Sequence, residues 1–72
     1  MNTKILDRIG EQIRNIRKEK GLTQEYLAEK VGIHPTYVGK IESGKSNTSA
    51  MMLYKISRAL GVTLSDIFEF DK

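Results

Sequence analysis

Cysteine and tryptophan are absent from this 72-residue sequence, and histidine and proline occur once each. Without cysteine there are no disulfide staples, no thiolate metal sites and no cysteine nucleophile. His34, the single histidine, would need carboxylates alone to complete a zinc site, so no metal is expected. No apolar run approaches the ~20 residues that span a bilayer, and no apolar signal segment is visible near the start. The expectation is a soluble, cytoplasmic chain without membrane contact. No nucleophile stands beside a base and no Gly-rich phosphate loop follows a strand, which argues against an enzyme and against a cofactor.

What is present reads as one compact unit covering residues 1–72. Apolar residues make up 39% of the chain. A core of that size typically supplies only ~3–5 kcal/mol, so association with a second copy is a natural supplement. The formal net charge is +3. Its distribution is uneven: residues 1–60 carry eleven basic and six acidic side chains, whereas residues 61–72 carry one basic and three acidic. A basic body suits a polyanion such as nucleic acid.

The hydrophobic pattern predicts five helices and no strands. Ile5, Ile9, Ile13 and Ile16 form the stripe of an amphipathic helix running to Lys20, with Lys18 and Lys20 in its last turn and Gly21 as its stop. Thr23 is the expected N-cap of a second helix, Gln24 to Val31, with Leu27, Ala28 and Val31 inward and Gly32 ending it. Pro35 suits the first position of a third helix carrying Val38 and Ile41 up to a Gly44 stop. After the polar connector 45–48, Thr48 or Ser49 caps a fourth helix whose apolar face holds Met52, Leu53, Ile56, Ala59 and Leu60. Thr63 with Asp66 marks a capping box for a short fifth helix bearing Leu64, Ile67 and Phe68.

The informative stretch is Gln24 to Glu42. Ala28 is small where two helices cross closely, Gly32 permits the positive φ of a tight turn, and Ile33 plugs that turn. Val38 and Ile41 hold the second helix of the pair onto the first. These spacings build a helix-turn-helix over about 24–42, leaving Thr36, Tyr37, Gly39 and Lys40 outward on a helix that fits the major groove. Gly39 is a poor helix former, and its bare backbone permits close approach to another surface.

At this point the sequence resembles the Cro and phage-repressor type of helix-turn-helix regulator, the XRE-like family. The resemblance runs from about Ile9 to Phe68. It is carried by Arg17, Gly21-Leu22-Thr23-Gln24, Leu27-Ala28, Gly32, Ile41-Glu42, Gly44-Lys45, Asn47 and Leu60-Gly61-Val62. It implies an all-α, compact five-helix lambda-repressor-like domain that binds double-stranded DNA as a homodimer and controls transcription. Carried over residue by residue, it assigns Gln24 to a phosphate, with a bracing role on the recognition helix, and places Ser43, Lys45 and Asn47 beside the DNA backbone. Base readout falls to Thr36, Tyr37 and Lys40, with His34 at the edge. Arg17 and Glu42 match the family's internal ion pair. The run Thr36 to Gly39 resembles the controller proteins of restriction-modification systems, a subgroup of this family. Two positions depart from the pattern: Pro35 stands where many relatives carry a polar residue, and Thr48 where proline is common.

Plainer roles stand beside these. His34 can serve as a helix cap, Tyr37 can pack its ring on the body, and Arg8, Arg14 and Lys30 read as solvated surface near Glu11 and Glu29. Phe68 and Phe70, with Leu64 and the off-face Met51, either complete the monomer core or form a two-fold contact, and the dimer contact is favoured. The competing function is a protein-interaction module on the same fold, such as an antitoxin.

Overall fold

Five helices follow one another through residues 4–70, the portion that the computed structural model describes: α1 (Lys4–Glu19), α2 (Gln24–Val31), α3 (Pro35–Glu42), α4 (Ala50–Leu60) and α5 (Leu64–Ile67). No strand occurs among the described residues. Ile9, Ile13 and Ile16 of α1 meet Leu27 and Ala28 of α2, Val38 and Ile41 of α3, Leu53, Ile56 and Leu60 of α4, and Ile67 of α5 in one buried cluster. All five helices therefore contribute to a single core. Burying each large aliphatic side chain is worth roughly 1.5–3 kcal/mol against exposure, before the entropy of ordering the chain is subtracted.

Side chains supply the helix starts. The Thr23 hydroxyl accepts from the Tyr26 N–H at 3.0 Å, and Ser49, rather than Thr48, accepts from the Met52 N–H at 3.1 Å. Thr63 and Asp66 form a reciprocal box: the Asp66 N–H donates to the Thr63 hydroxyl at 3.1 Å, and the Thr63 N–H donates to the Asp66 carboxylate at 2.9 Å. Four residues are too few to form a helix on propensity. α5 is held by this box, by the fully buried Ile67, and by the Gln12 amide of α1 donating to the Asp66 carbonyl at 3.0 Å.

Two expectations need correction. Ile5 is 47% exposed and lies outside the core cluster, because the apolar surface on α1 begins one turn later, at Ile9. α1 ends at Glu19, one residue before the expected Lys20. On α5 only Ile67 is buried; Leu64 and Phe68 are exposed, which is what the favoured two-fold contact needs. The three stand three and four residues apart and so share one side of the turn, of which the core takes in Ile67 alone.

Gly10 has a role that its helix propensity hides. A Cβ there would overlap the backbone carbonyl oxygens of Ile41 and Glu42 and would stand 2.7 Å from the Glu42 carbonyl carbon. The bare position is what lets α1 touch the end of α3. In a free helix Gly→Ala is stabilising by ~1 kcal/mol, while forcing atoms into packed backbone costs ~1–3 kcal/mol or more. Gly10→Ala is therefore expected to lower the melting temperature by several degrees, and a rise would contradict this packing.

The capping box sets a pH dependence. The Asp66 carboxyl is held below its ordinary range chiefly by the Thr63 backbone N–H and then by the Thr63 hydroxyl. A lowered folded value means that the stabilisation is complete above the unfolded range, near pH ~4, and disappears as pH falls through the folded value. Thermal melts of the parent and Asp66→Asn are expected to differ at pH 7 and to converge in strong acid.

Candidate nucleic-acid interface

The turn between α2 and α3 is closed by the backbone. Gly32, at φ 85°, caps α2, and the N–H groups of Gly32 and Ile33 both donate to the Ala28 carbonyl, at 2.8 and 2.9 Å. Only glycine adopts that φ without steric cost. Ile33 is half-buried against the core, which leaves His34 as the N-cap of α3 and Pro35 at its first turn. The His34 ring accepts the Thr36 N–H at Nδ1, 3.0 Å away, so its other ring nitrogen carries the proton in the neutral form and faces outward as a donor.

α3 buries Val38, Ile41 and Glu42 and exposes Thr36 and Lys40, which are four residues apart and share its outer face. Tyr37 is half-buried against the core, so most of its ring packs on the body. Ser43, Lys45 and Asn47 follow in the exposed connector. The Ser43 hydroxyl donates to the Lys40 carbonyl at 3.1 Å, and the Lys45 N–H reaches the same oxygen at 2.9 Å, fixing how the chain leaves α3.

The inner end of α3 is pinned by a charge network. Arg17 Nε donates to one Glu42 carboxylate oxygen at 2.7 Å and Nη2 to the other at 3.1 Å, while Nη1 donates to the Leu22 carbonyl at 2.8 Å. The Gln24 amide donates to Glu42 at 3.0 Å. Four segments meet here: α1, the connection after it, the first residue of α2 and the last of α3. Glu42 holds the Arg17 guanidinium above its ordinary value by hydrogen bonding, which outweighs the opposing effect of burial. Both side chains are nearly sealed from solvent, yet no buried side-chain polar atom among the described residues lacks a partner. A buried pair of this kind is tolerable only when so fully satisfied. An amide nitrogen has two N–H donors, so Gln24 keeps one for an external acceptor.

The expected site residues thus fall into separate groups. His34, Thr36 and Lys40 lie exposed at the start and outer face of α3, Gln24 sits half-buried beside its end, and Ser43, Lys45 and Asn47 continue the exposed path. Met51, Leu64 and Phe68 are exposed on α4, on α5 and just after it, apart from α3. Phe70 differs from them: it packs against the monomer core, its carbonyl accepts from Arg8 at 3.4 Å, and the Arg8 guanidinium lies 5.9 Å from its ring centre. Arg8 is therefore more than the solvated surface expected of it. Sequence reasoning passed over Gly10 and the buried Ser57, whose hydroxyl is satisfied by the Tyr54 carbonyl at 2.7 Å. A glycine inside the isoleucine stripe was the available signal for the first; nothing in the pattern marks the second.

The helix-turn-helix family profile known as HTH_3 matches residues 13–67, which include the Arg17 network, the turn and the outer face of α3. The chain belongs to this helix-turn-helix family. Within it, the chain is 45% identical over 62 residues to the control protein C.MunI of a Mycoplasma species, covering 85% of this chain and 84% of that protein. It is 42% identical to the control protein C.BamHI of Bacillus amyloliquefaciens, covering 85% and 76%. Among solved structures, the restriction-modification controller protein C.AhdI of Aeromonas hydrophila superposes with a TM-score of 0.85 at 36% identity, covering 88% of this chain and 96% of that one. The helix-turn-helix arrangement and five-helix fold read from the sequence are those of the family. Among the described residues, no helix is long and apolar enough to cross a membrane.

Removing Glu42 leaves Arg17 charged in a closed site and frees Gln24. Breaking a buried pair from one side costs about 3–5 kcal/mol. Glu42→Ala is expected to lose stability on that scale while keeping the base preference of the folded fraction. Unchanged melting with altered preference would overturn this assignment.

Proposed function

We propose that the protein is a sequence-specific, double-stranded DNA-binding transcriptional regulator that acts as a homodimer on a roughly palindromic operator, with α3 in the major groove. The single observation that carries this reading is the exposed outer face of α3, presented by a helix-turn-helix whose inner side is fully engaged by Val38, Ile41 and Glu42. Lys40 donates to guanine O6 and N7, the Thr36 methyl meets a thymine methyl, the Tyr37 hydroxyl reaches the edge of the site, and the outward His34 nitrogen donates at the entry to the groove. The remaining N–H of Gln24, Lys45, the Asn47 amide and the Ser43 hydroxyl, once rotated off the Lys40 carbonyl, meet phosphates and set the register. The protein's likeness to restriction-modification controllers supports a place in that subgroup. A regulator of this kind works in the cytoplasm and needs neither metal nor cofactor.

Size supports the dimer. One copy carries a single helix-turn-helix in a body of about 30 Å among the described residues, so it serves one half-site, and a second copy would reach the next major-groove face ~34–36 Å along the duplex. The two-fold contact falls on Met51, Leu64 and Phe68, with Phe70 behind them: its ring lies 6.3 Å from that of Phe68 and stiffens it from within.

Gly39 offers a sharp test. A Cβ added there would meet only the Gln24 amide nitrogen, at 3.9 Å, so the isolated fold has room for alanine. Gly39→Ala is expected to raise stability by up to ~1 kcal/mol through helix propensity and yet to weaken DNA binding, because the methyl enters the space a DNA strand occupies. Equal or tighter binding would contradict docking through this face.

Selection of bound duplexes from a random pool is expected to return a two-fold symmetric motif; a chain that enriches no duplex would instead be an interaction module. With the selected site, log affinity is expected to fall against log salt with a slope near −0.9 per phosphate neutralised, and a flat response would overturn the DNA reading. Lys40→Ala is expected to relax preference at one base position, whereas Lys45→Ala weakens all sequences alike; the same uniform loss from both would refute this division of roles.

A further inference from the structure

The end of α2 and the second half of α4 enclose an open concavity of about 450 Å3, lined by Lys30, Val31, Tyr54, Lys55, Arg58 and Ala59. Val31 and Ala59 are half-buried against the core and form its apolar floor. On each helix an exposed tyrosine is followed four residues later by a cation drawn towards it. Lys30 Nζ lies 5.5 Å from the Tyr26 ring centre, and Arg58 Nη1 lies 3.4 Å from the Tyr54 hydroxyl. Lys30 is exposed as expected, with its ammonium over the Tyr26 ring.

None of these three cations is ion-paired among the described residues, although Glu25 and Glu29 are on the same helix as Lys30. Three like charges around one opening make a positive potential that no carboxylate at pairing distance offsets. Exposed tyrosine and arginine beside an apolar floor are the composition of a protein-binding centre, with lysines suited to its rim. Phosphates need no apolar floor. Lys30 is six residues from Gln24, roughly 9 Å along the helix, and Lys55 and Arg58 lie in the second half of α4, beyond the connector that carries Lys45 and Asn47. On the DNA reading above, which this step uses, the groove is set back from the duplex and stays open while α3 is docked.

We propose that this groove docks an acidic segment of a partner protein, with an apolar side chain seated on Val31 and Ala59 beside Tyr54 and carboxylates meeting Lys30, Lys55 and Arg58. The regulator would then hold DNA through one surface and a second protein through another.

The probe is a fluorescein-labelled peptide of about twelve residues in which Asp and Glu flank a Leu-Phe pair, compared by anisotropy with the same peptide carrying Asn and Gln. The acidic peptide is expected to bind the intact chain at least about tenfold more tightly than the amide peptide, and to bind the Lys55→Glu/Arg58→Glu variant at least about tenfold more weakly than the parent. Tyr54→Ala is expected to weaken it as well. All three positions are exposed, so melting should fall only slightly, the loss coming from Arg58 as the cation in the last turn of α4. Affinity of the charge-reversed variant for the selected duplex is expected to stay within about twofold of the parent near ~150 mM salt, where the screening length is ~8 Å.

Equal affinity for the two peptides, or for parent and variant, would overturn the proposal. So would a loss of duplex affinity with a shallower salt slope, which would assign the groove to phosphates, or a loss of dimer, which would assign it to a second copy. If the parent binds no duplex while the peptide results hold, the DNA reading fails and the groove stands.

Discussion

The Arg17–Glu42 pair is the constraint on which the rest of the structure depends. Taking two charges out of water costs several kcal/mol per ion, and their attraction recovers this only when geometry and remaining hydrogen bonds are satisfied. Here both carboxylate oxygens face the guanidinium, the third guanidinium nitrogen is taken by the Leu22 carbonyl, and Gln24 completes the site. The bonds run to four different segments, so the condition that satisfies the charges also fixes where α3 ends relative to α1 and α2. Gly10 makes the same junction sterically possible by letting the α1 backbone lie against the last carbonyls of α3.

From that junction outward, each helix divides its surface between holding and presenting. α3 spends Val38, Ile41 and Glu42 on the body and keeps Thr36 and Lys40 outside. α4 buries Leu53, Ile56, Ser57 and Leu60 and leaves Met51 and Tyr54 exposed. A small core cannot cover every apolar side chain: Met51, Leu64 and Phe68 stay exposed on α4, on α5 and just after it, and Tyr26 and Tyr54 each stand exposed beside a cation.

Much of this was legible in the sequence because it rests on local rules. Thr23, Gly32, Pro35 and Gly61 punctuate helices through backbone chemistry that acts within a few residues, and the helices begin and end where those residues say. The pairing of Arg17 with Glu42 came from family resemblance, not spacing, since nothing local links residues 25 apart; the structure supplies its bidentate geometry. The misplaced expectations share a cause. Ile5 continues a good apolar pattern past the point where neighbouring helices stop, and periodicity carries no information about where a partner surface ends. For Phe70 the sequence leaves the monomer core and a two-fold contact both open, and the core contact is made with Arg8, from the far end of the chain, beside its ring. Gly10 was unread because its value depends on a backbone more than thirty residues away. The base-contacting roles proposed for α3 are legible only as a face and a set of chemistries.

A double-mutant cycle on Arg17→Met and Glu42→Leu, followed by urea unfolding in a stabilising osmolyte so that each variant remains folded, tests the central claim most directly. If the pair pins α3, each single substitution loses roughly 3–5 kcal/mol and the double recovers most of it, because two apolar side chains leave no stranded charge. Single losses that simply add, within ~0.5 kcal/mol, would show that the two side chains do not act as one, and the account of how α3 is held would be wrong.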